Sequence, residues 1–310
     1  MGRLVDGIWH VSSVITSDSM GSYDRLPRTF LETISSSHSL YRPEANRYHL
    51  YVSYACPWAT RTLIYRQLKG LADYISVDVV HPDMGDDGWI FDDTFEGSSR
   101  DSLHGFKFLR QVYLEADPLG STSVTVPVLW DKKTGSIVNN ESSQIIRIFT
   151  SAFNDLSGNT DDFYPSSLRR EIDDLNEKIY QTVNNGVYKT GFATNQESYD
   201  EAVTSLFDTL DELDQRLTNS KYLLGDEITE ADLRLIPTLL RFDVVYFTHF
   251  KCNWKRIVDY KNLHRYMLDL YSVPAIKDTC HLDHIKRHYY FSHRGINPQR
   301  IIPKGPQKIF

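Results

Sequence analysis

The chain has 310 residues, 41% hydrophobic and 24% charged, with a formal net charge of −7. This is ordinary globular composition, long enough for two domains with separate cores, and the negative charge argues against nucleic acid or an anionic membrane surface as the main partner. No apolar run approaches the ~18–20 residues of a membrane span, and residues 1–18 lack the apolar stretch of a secretory leader, so a cytoplasmic location is expected. Three cysteines, Cys56, Cys252 and Cys280, stand far apart in the chain. An odd, scattered set is no disulfide framework, and no CxxC or Cys/His zinc spacing occurs, which fits a reducing compartment where a thiol stays free for chemistry.

Residues 1–45 read as an irregular arm broken by Pro27 and Pro43. Residues 47–53 alternate and are rich in Tyr and Val, which predicts a strand. It ends at Ser53-Tyr54-Ala55-Cys56-Pro57. Pro57 suits the first position of a helix, and residues 58–69 continue in helical period through Leu63, Ile64 and Leu68. A second strand is expected over 74–80. Residues 81–119 are polar and rich in Asp and Gly, too long for an ordinary connection, and are expected to be a functional insertion. A third strand over 124–129 is interrupted by Pro127. Lys133-Thr134-Gly135 reads as a hairpin turn into Ser136-Ile137-Val138, and a helix opens near Asn140-Glu141-Ser142.

That order predicts a thioredoxin-like α/β domain over residues 46–152, with a linker near 154–162. Beyond it the period changes to that of helices. Leu168, Ile172, Leu175, Ile179 and Val183 form one stripe. Tyr199, Ala202, Val203, Leu206, Leu210, Leu213 and Leu217 form another. Thr229-Glu230-Ala231-Asp232 has the form of a capping box, with Asp in place of Glu or Gln. Residues 163–310 are therefore expected to be an all-α helical domain with a C-terminal tail.

Three features carry chemistry. Cys56 stands where a strand gives way to a helix, so its sulfur can face the helix's unpaired N–H groups, a geometry that favours the nucleophilic thiolate. Ala59 fills the second position of a CxxC motif, so the site has one thiol and must exchange with an external thiol such as glutathione. Inert burial, the commoner fate of a lone cysteine, is expected for Cys252 and Cys280. Pro127 inside a strand removes a ladder hydrogen bond. A cis Val126–Pro127 bond would turn the Val126 backbone toward a peptide ligand, whereas an edge-strand proline would need none. Glu141-Ser142 at a helix start suits the carboxylate and ammonium of a γ-glutamyl group, although simple helix capping uses the same residues.

Several motifs together resemble the glutathionyl-hydroquinone reductases, the Xi class of the cytosolic glutathione transferase fold. They are Tyr54-Ala55-Cys56-Pro57-Trp58-Ala59, Thr125-Val126-Pro127-Val128-Leu129-Trp130-Asp131 and Val138-Asn139-Asn140-Glu141-Ser142-Ser143. Gly186-Val187-Tyr188-Lys189-Thr190-Gly191-Phe192-Ala193 and the tail motif Ile285-Lys286-Arg287-His288-Tyr289-Tyr290 add to them. The resemblance runs from about residue 20 to the C-terminus. It implies a glutathione-dependent enzyme, expected to be a homodimer, that reduces S-glutathionyl hydroquinones, with Cys56 as nucleophile. It assigns Trp89 to stacking on glutathione, Val126, Pro127, Glu141 and Ser142 to holding that peptide, and Tyr188 and Tyr289 to the hydroquinone oxygens. Read without the resemblance, these tyrosines could equally be core or interface aromatics.

One stretch departs from the class. Its members usually carry Tyr-Thr-Gly-Arg before the Val-Thr-Val-Pro strand, and that arginine contacts glutathione. Here Gly120-Ser121-Thr122-Ser123 stands instead, so the charged contact is missing or supplied elsewhere, with Lys132 and Lys133 as candidates. In the tail, His284 and His288 stand four apart on an expected helix, but no carboxylate-rich partner accompanies them and no metal is expected. Two rival readings share the fold: an omega-like thioltransferase or dehydroascorbate reductase using Cys56 on disulfides, and a non-catalytic module for assembly.

Overall fold

The computed structural model describes residues 2–11, 16–17, 21–24 and 27–307. In chain order they form β1 (Arg3–Val5), β2 (Ile8–His10), β3 (Thr16–Ser17), β4 (Tyr23–Asp24), β5 (Tyr48–Val52), α1 (Pro57–Leu68), β6 (Ser76–Val79), α2 (Leu109–Ala116), β7 (Thr122–Ser123), β8 (Val128–Asp131) and β9 (Ser136–Asn139). Then come α3 (Ser142–Ser151), α4 (Asn154–Ser157), α5 (Arg169–Ile179), α6 (Gly186–Phe192), α7 (Gln196–Arg216), α8 (Glu230–Arg241), α9 (Phe247–His249), α10 (Lys261–Tyr271), α11 (Pro274–Lys277) and α12 (Leu282–Ser292). The chain divides into two units. The first is Met1–Val14, Leu26–Asp162 and His281–Ser292; the second is Ile15–Arg25, Phe163–Cys280 and His293–Phe310.

The first unit is built on a four-stranded sheet in the order β6-β5-β8-β9. β5 and β6 run parallel, His49 opposite Ser76 through Val52 opposite Val79, and such a pair requires a crossover, which α1 supplies. β8 runs antiparallel to β5, with Tyr48 opposite Asp131 and Tyr51 opposite Val128. Every residue of β5 is buried, as expected of a central strand covered on both faces. The hairpin from β8 to β9 turns at Gly135, whose φ of +63° is the left-handed value a glycine tolerates. Arg47 ties the start of β5 to the end of β8 through a bidentate pair with buried Asp131, at 2.8 and 2.6 Å.

Four details differ from the sequence expectation. The third strand begins at Val128 rather than 124, because Pro127 has no N–H to give the ladder. Residues 122–123 pair instead with β1, which itself pairs with β2, so part of the arm is a three-stranded sheet rather than irregular chain. The rest of the 1–45 arm includes residues outside the described ones. The insertion at 81–119 contains a helix, α2, and is anchored through polar contacts: Asp78 accepts from the Ser102 N–H at 2.7 Å, and Asp101 accepts from the Tyr51 hydroxyl at 3.0 Å. Finally, α12 groups with the first unit, although the sequence placed the tail in the helical domain.

Apart from the two-residue strands β3 and β4, the second unit is helical. Ile172, Leu175, Ile179 and Val183 are buried along α5 and the π-helical turn after it, and Val203, Leu206, Leu210, Leu213 and Leu217 along α7, so both predicted stripes face a core. Leu168, Tyr199 and Ala202 are only half-buried. The predicted box forms at the start of α8, where Asp232 accepts from the Thr229 N–H at 2.8 Å. Among the described residues, no helix is long and apolar enough to cross a membrane.

Candidate active site

Cys56 is the N-cap of α1, with extended backbone (φ −79°, ψ 119°), and Pro57 follows in the first turn. Pro57 has no N–H to lose there, and its fixed φ is already helical. Cys56 is half-buried. The thiol donates toward the Val126 carbonyl across 3.6 Å. The nucleophile predicted from sequence and the backbone predicted to hold a peptide are therefore neighbours. The orphan N–H groups at the helix start supply a positive field to the thiolate once that proton leaves. The other two thiols are unsuited to nucleophilic work. Burial pushes the Cys252 thiol far up, and pushes the Cys280 thiol up to about 11.

Val126–Pro127 is a cis peptide bond. The residues before it are held from α2, an element the sequence did not disclose. The Tyr113 hydroxyl donates to the Thr125 carbonyl at 2.8 Å, and the Asn140 amide donates to that hydroxyl at 3.2 Å. Tyr113 is 1% exposed and so links the proline segment to the start of α3.

At that start Glu141 is the N-cap. Its carboxylate accepts from the Ser143 N–H and the Ser143 hydroxyl, both at 2.9 Å, and from the Ser142 hydroxyl at 3.4 Å. Burial works against its charge, yet the Ser143 N–H, the Arg28 and Arg61 cations and the Ser143 hydroxyl outweigh burial, and the carboxyl lies below its usual range. An ionised Glu141 is what an ammonium ligand requires. Capping and ligand binding are thus compatible here, since a carboxylate has about four acceptor positions. Arg28, from the arm, and Arg61, buried in α1 with its guanidinium 4.7 Å from the Trp58 ring, carried no signal in the sequence.

The lysines proposed to replace the class arginine are placed elsewhere. Lys132 and Lys133 lie in the turn after β8, five and six residues beyond Pro127, or roughly 16–20 Å along an extended chain. Lys133 pairs with Glu44 at 3.2 Å.

Trp89 is 7% exposed and stacks on the His288 ring of α12, centroids 4.6 Å apart. His288 is fixed by a 2.8 Å contact between Nδ1 and the Pro82 carbonyl. Neighbouring contacts hold α12 on the insertion: Arg287 is bidentate to Asp83 at 2.6 and 2.7 Å, and His284 Nε2 meets the Glu96 carbonyl at 2.7 Å. Both histidines considered as metal ligands, His284 and His288, are thus engaged with backbone. Among the described residues no group of three or more His, Cys, Asp or Glu is arranged to hold a metal.

Cys56, Trp89, Val126, Pro127, Glu141, Ser142 and Tyr289 all belong to the first unit, and Tyr188 belongs to the second. Tyr289 is 2% exposed, on α12. Tyr188, on α6, is 9% exposed and packs among Phe192, Tyr246 and Phe250, with ring centroids 5.4–6.2 Å away.

Comparison with known proteins follows the same lines. The family description "Glutathione S-transferase, N-terminal domain" matches residues 55–152, and "Glutathione S-transferase, C-terminal domain" matches residues 196–268. A glutathionyl-hydroquinone reductase of Escherichia coli is 51% identical over 99% of this chain and 95% of its own length. The crystal structure of a glutathione-S-transferase Xi from Phanerochaete chrysosporium superposes with a TM-score of 0.92, at 52% identity, over 94% of this chain and 95% of that one. A glutathione-bound structure of a glutathione transferase homolog from E. coli gives a TM-score of 0.92 at 50% identity, over 99% of this chain and 96% of that one.

Proposed function

We infer the chemistry from one premise: this chain belongs to the glutathione transferases, in the Xi class of glutathionyl-hydroquinone reductases. It reduces S-glutathionyl hydroquinones to hydroquinones and releases oxidised glutathione. The observation that carries the reading is Cys56, a half-buried helix N-cap residue whose thiol lies 3.6 Å from the carbonyl of the cis-proline segment.

The reaction has two thiol steps. The Cys56 thiolate attacks the glutathione sulfur of the substrate. An S–S bond forms, the C–S bond breaks, and its electron pair stays on the ring carbon, which takes up a proton. The carbon is reduced by two electrons, and the two sulfurs are oxidised to the Cys56–glutathione disulfide. A second glutathione, as thiolate, attacks that disulfide and leaves as oxidised glutathione, which regenerates the Cys56 thiolate. In this scheme the Val126 backbone pairs with the peptide, and Pro127 sets its direction. Glu141 and Ser142 hold the γ-glutamyl end, and Trp89 covers the peptide with the ring face opposite His288. Tyr188 and Tyr289 place hydroxyls on the hydroquinone oxygens and steer protonation of the ring. The chain works in the cytoplasm as a homodimer.

An omega-like disulfide exchange would use the same Cys56 but has no ring to orient, so the tyrosines distinguish the two. Tyr188→Phe and Tyr289→Phe each remove one hydroxyl and little volume. A neutral hydrogen bond contributes ~0.5–1.5 kcal/mol, so hydroquinone release is expected to slow about 3- to 10-fold, and further if that bond strengthens in the transition state. Exchange with a small glutathione mixed disulfide should stay within about twofold of wild type, the limit set by that same hydrogen-bond scale. Equal loss on both substrates, or no loss on either, would make the tyrosines packing residues.

A further inference from the structure

The segment that departs from the class, Gly120-Ser121-Thr122-Ser123, is the strip on which the N-terminal arm docks. The Gly7 N–H donates to the Gly120 carbonyl at 3.2 Å, and the Asp6 N–H donates to Ser121 Oγ at 2.9 Å. The Ser121 hydroxyl donates back to the Asp6 carboxylate at 3.1 Å. Asp6 and Gly7, with φ of +49° and +75°, turn the chain from β1 into β2. The register then places Leu4 opposite Thr122 and Arg3 opposite Ser123. Directly opposed residues of an antiparallel pair present their side chains on one face, with Cβ atoms ~4.5–5.5 Å apart. Arg3 therefore stands on the face of the sheet that Ser123 occupies, three residues before Val126.

Arg3 is half-buried, and its Nε is fully buried with no hydrogen-bond partner among the described residues; the buried Ser123 Oγ and Thr125 Oγ1 have none either. A guanidinium does not give up its proton, so a buried, unpaired N–H on it is costly unless an anion meets it. Glutathione brings two carboxylates. The start of α3, with Glu141 and Ser142, suits the one on the γ-glutamyl residue. The glycine carboxylate, at the other end of the peptide, still needs a cation.

We propose that Arg3 donates to the glycine carboxylate of glutathione, so that the N-terminal arm is part of the peptide site and supplies across the β1–β7 ladder the charge that position 123 lacks. The inference rests on the glutathione chemistry proposed above. A guanidinium–carboxylate fork fixes the peptide's orientation as well as its affinity.

The test is calorimetric titration of the full chain, tagged at the C-terminus, with glutathione, with its glycine monoethyl ester and with γ-glutamylcysteine. Arg3→Gln should weaken glutathione about 10- to 100-fold, the scale of a charged hydrogen bond, and shift the two ligands lacking the glycine carboxylate less than about twofold. Adding Ser123→Arg to Arg3→Gln should restore most of the glutathione affinity, which also shows that the variant folds. An equal loss for all three ligands, or no loss for glutathione, overturns the role of Arg3. A wild-type chain that binds no glutathione overturns the proposed function, and this inference with it.

Discussion

Replacing Cys56 by Ser should lower turnover of S-glutathionyl hydroquinones by at least about a thousandfold, because both steps pass through a bond to its sulfur. A serine hydroxyl is not ionised near neutral pH and forms no disulfide, so no mixed disulfide can accumulate. Glutathione affinity should change little, since Val126, Glu141, Ser142 and Arg3 hold the peptide in this account. Cys252→Ser and Cys280→Ser should be silent in the same assay, as expected of thiols that burial keeps protonated. The measurement is steady-state release of hydroquinone, with mass spectrometry of the protein after one turnover. Activity in Cys56→Ser above a few per cent of wild type, against the near-total loss expected of a missing nucleophile, would mean that another group attacks the sulfur.

The largest effect on stability should come from Asp232→Ala. Asp232 is 0% exposed, and four donors converge on it. Oδ1 accepts from the Leu223 N–H at 2.9 Å and the Tyr266 hydroxyl at 2.8 Å; Oδ2 accepts from the Thr229 N–H at 2.8 Å and its hydroxyl at 2.9 Å. Burial pushes the carboxyl above its usual range even though these donors pull it down. Alanine leaves the donors buried and unpaired and joins a cavity to a lost cap, which together cost about 3–5 kcal/mol. Thermal denaturation followed by circular dichroism should show the apparent Tm falling by about 6–15 °C. Thr229→Ala, which removes one capping hydroxyl, should cost only about 1 kcal/mol. A loss in Asp232→Ala no larger than that of Thr229→Ala would mean that the network does not hold α8 in place.

Much of the first unit was legible because its residues have few alternatives. Pro57 favours the first turn of a helix, Pro127 has no N–H for a ladder, and Gly135 permits the hairpin turn. Pro57 and Gly135 marked element boundaries, whereas the strand expected to run through Pro127 starts only after it. Cys56 and Val126, beside the two prolines, are the candidate site residues these positions pointed to. The stripes of α5 and α7 are long enough for their period to stand out over several turns. The elements that stayed hidden are short or polar. β1 and β2 have three residues each, too few for alternation to show. α2 buries Leu109, Val112 and Tyr113 over two turns inside a polar segment, so no stripe appears, yet its Tyr113 positions the cis-proline segment. α12 was assigned to the wrong unit because its docking face includes His284, Arg287 and His288. These bond to backbone carbonyls and Asp83, and polar docking leaves no apolar signature. Arg3 could not be found from sequence at all, since its partner lies 120 positions away and only the strand register joins them.

Incubation of the wild-type chain with an S-glutathionyl hydroquinone and excess glutathione tests the central claim most directly, with hydroquinone and oxidised glutathione followed together. The account predicts one hydroquinone and one oxidised glutathione per turnover, at a rate well above that with dehydroascorbate. No hydroquinone release, with dehydroascorbate reduced efficiently, would contradict it and identify the chain as an omega-like reductase.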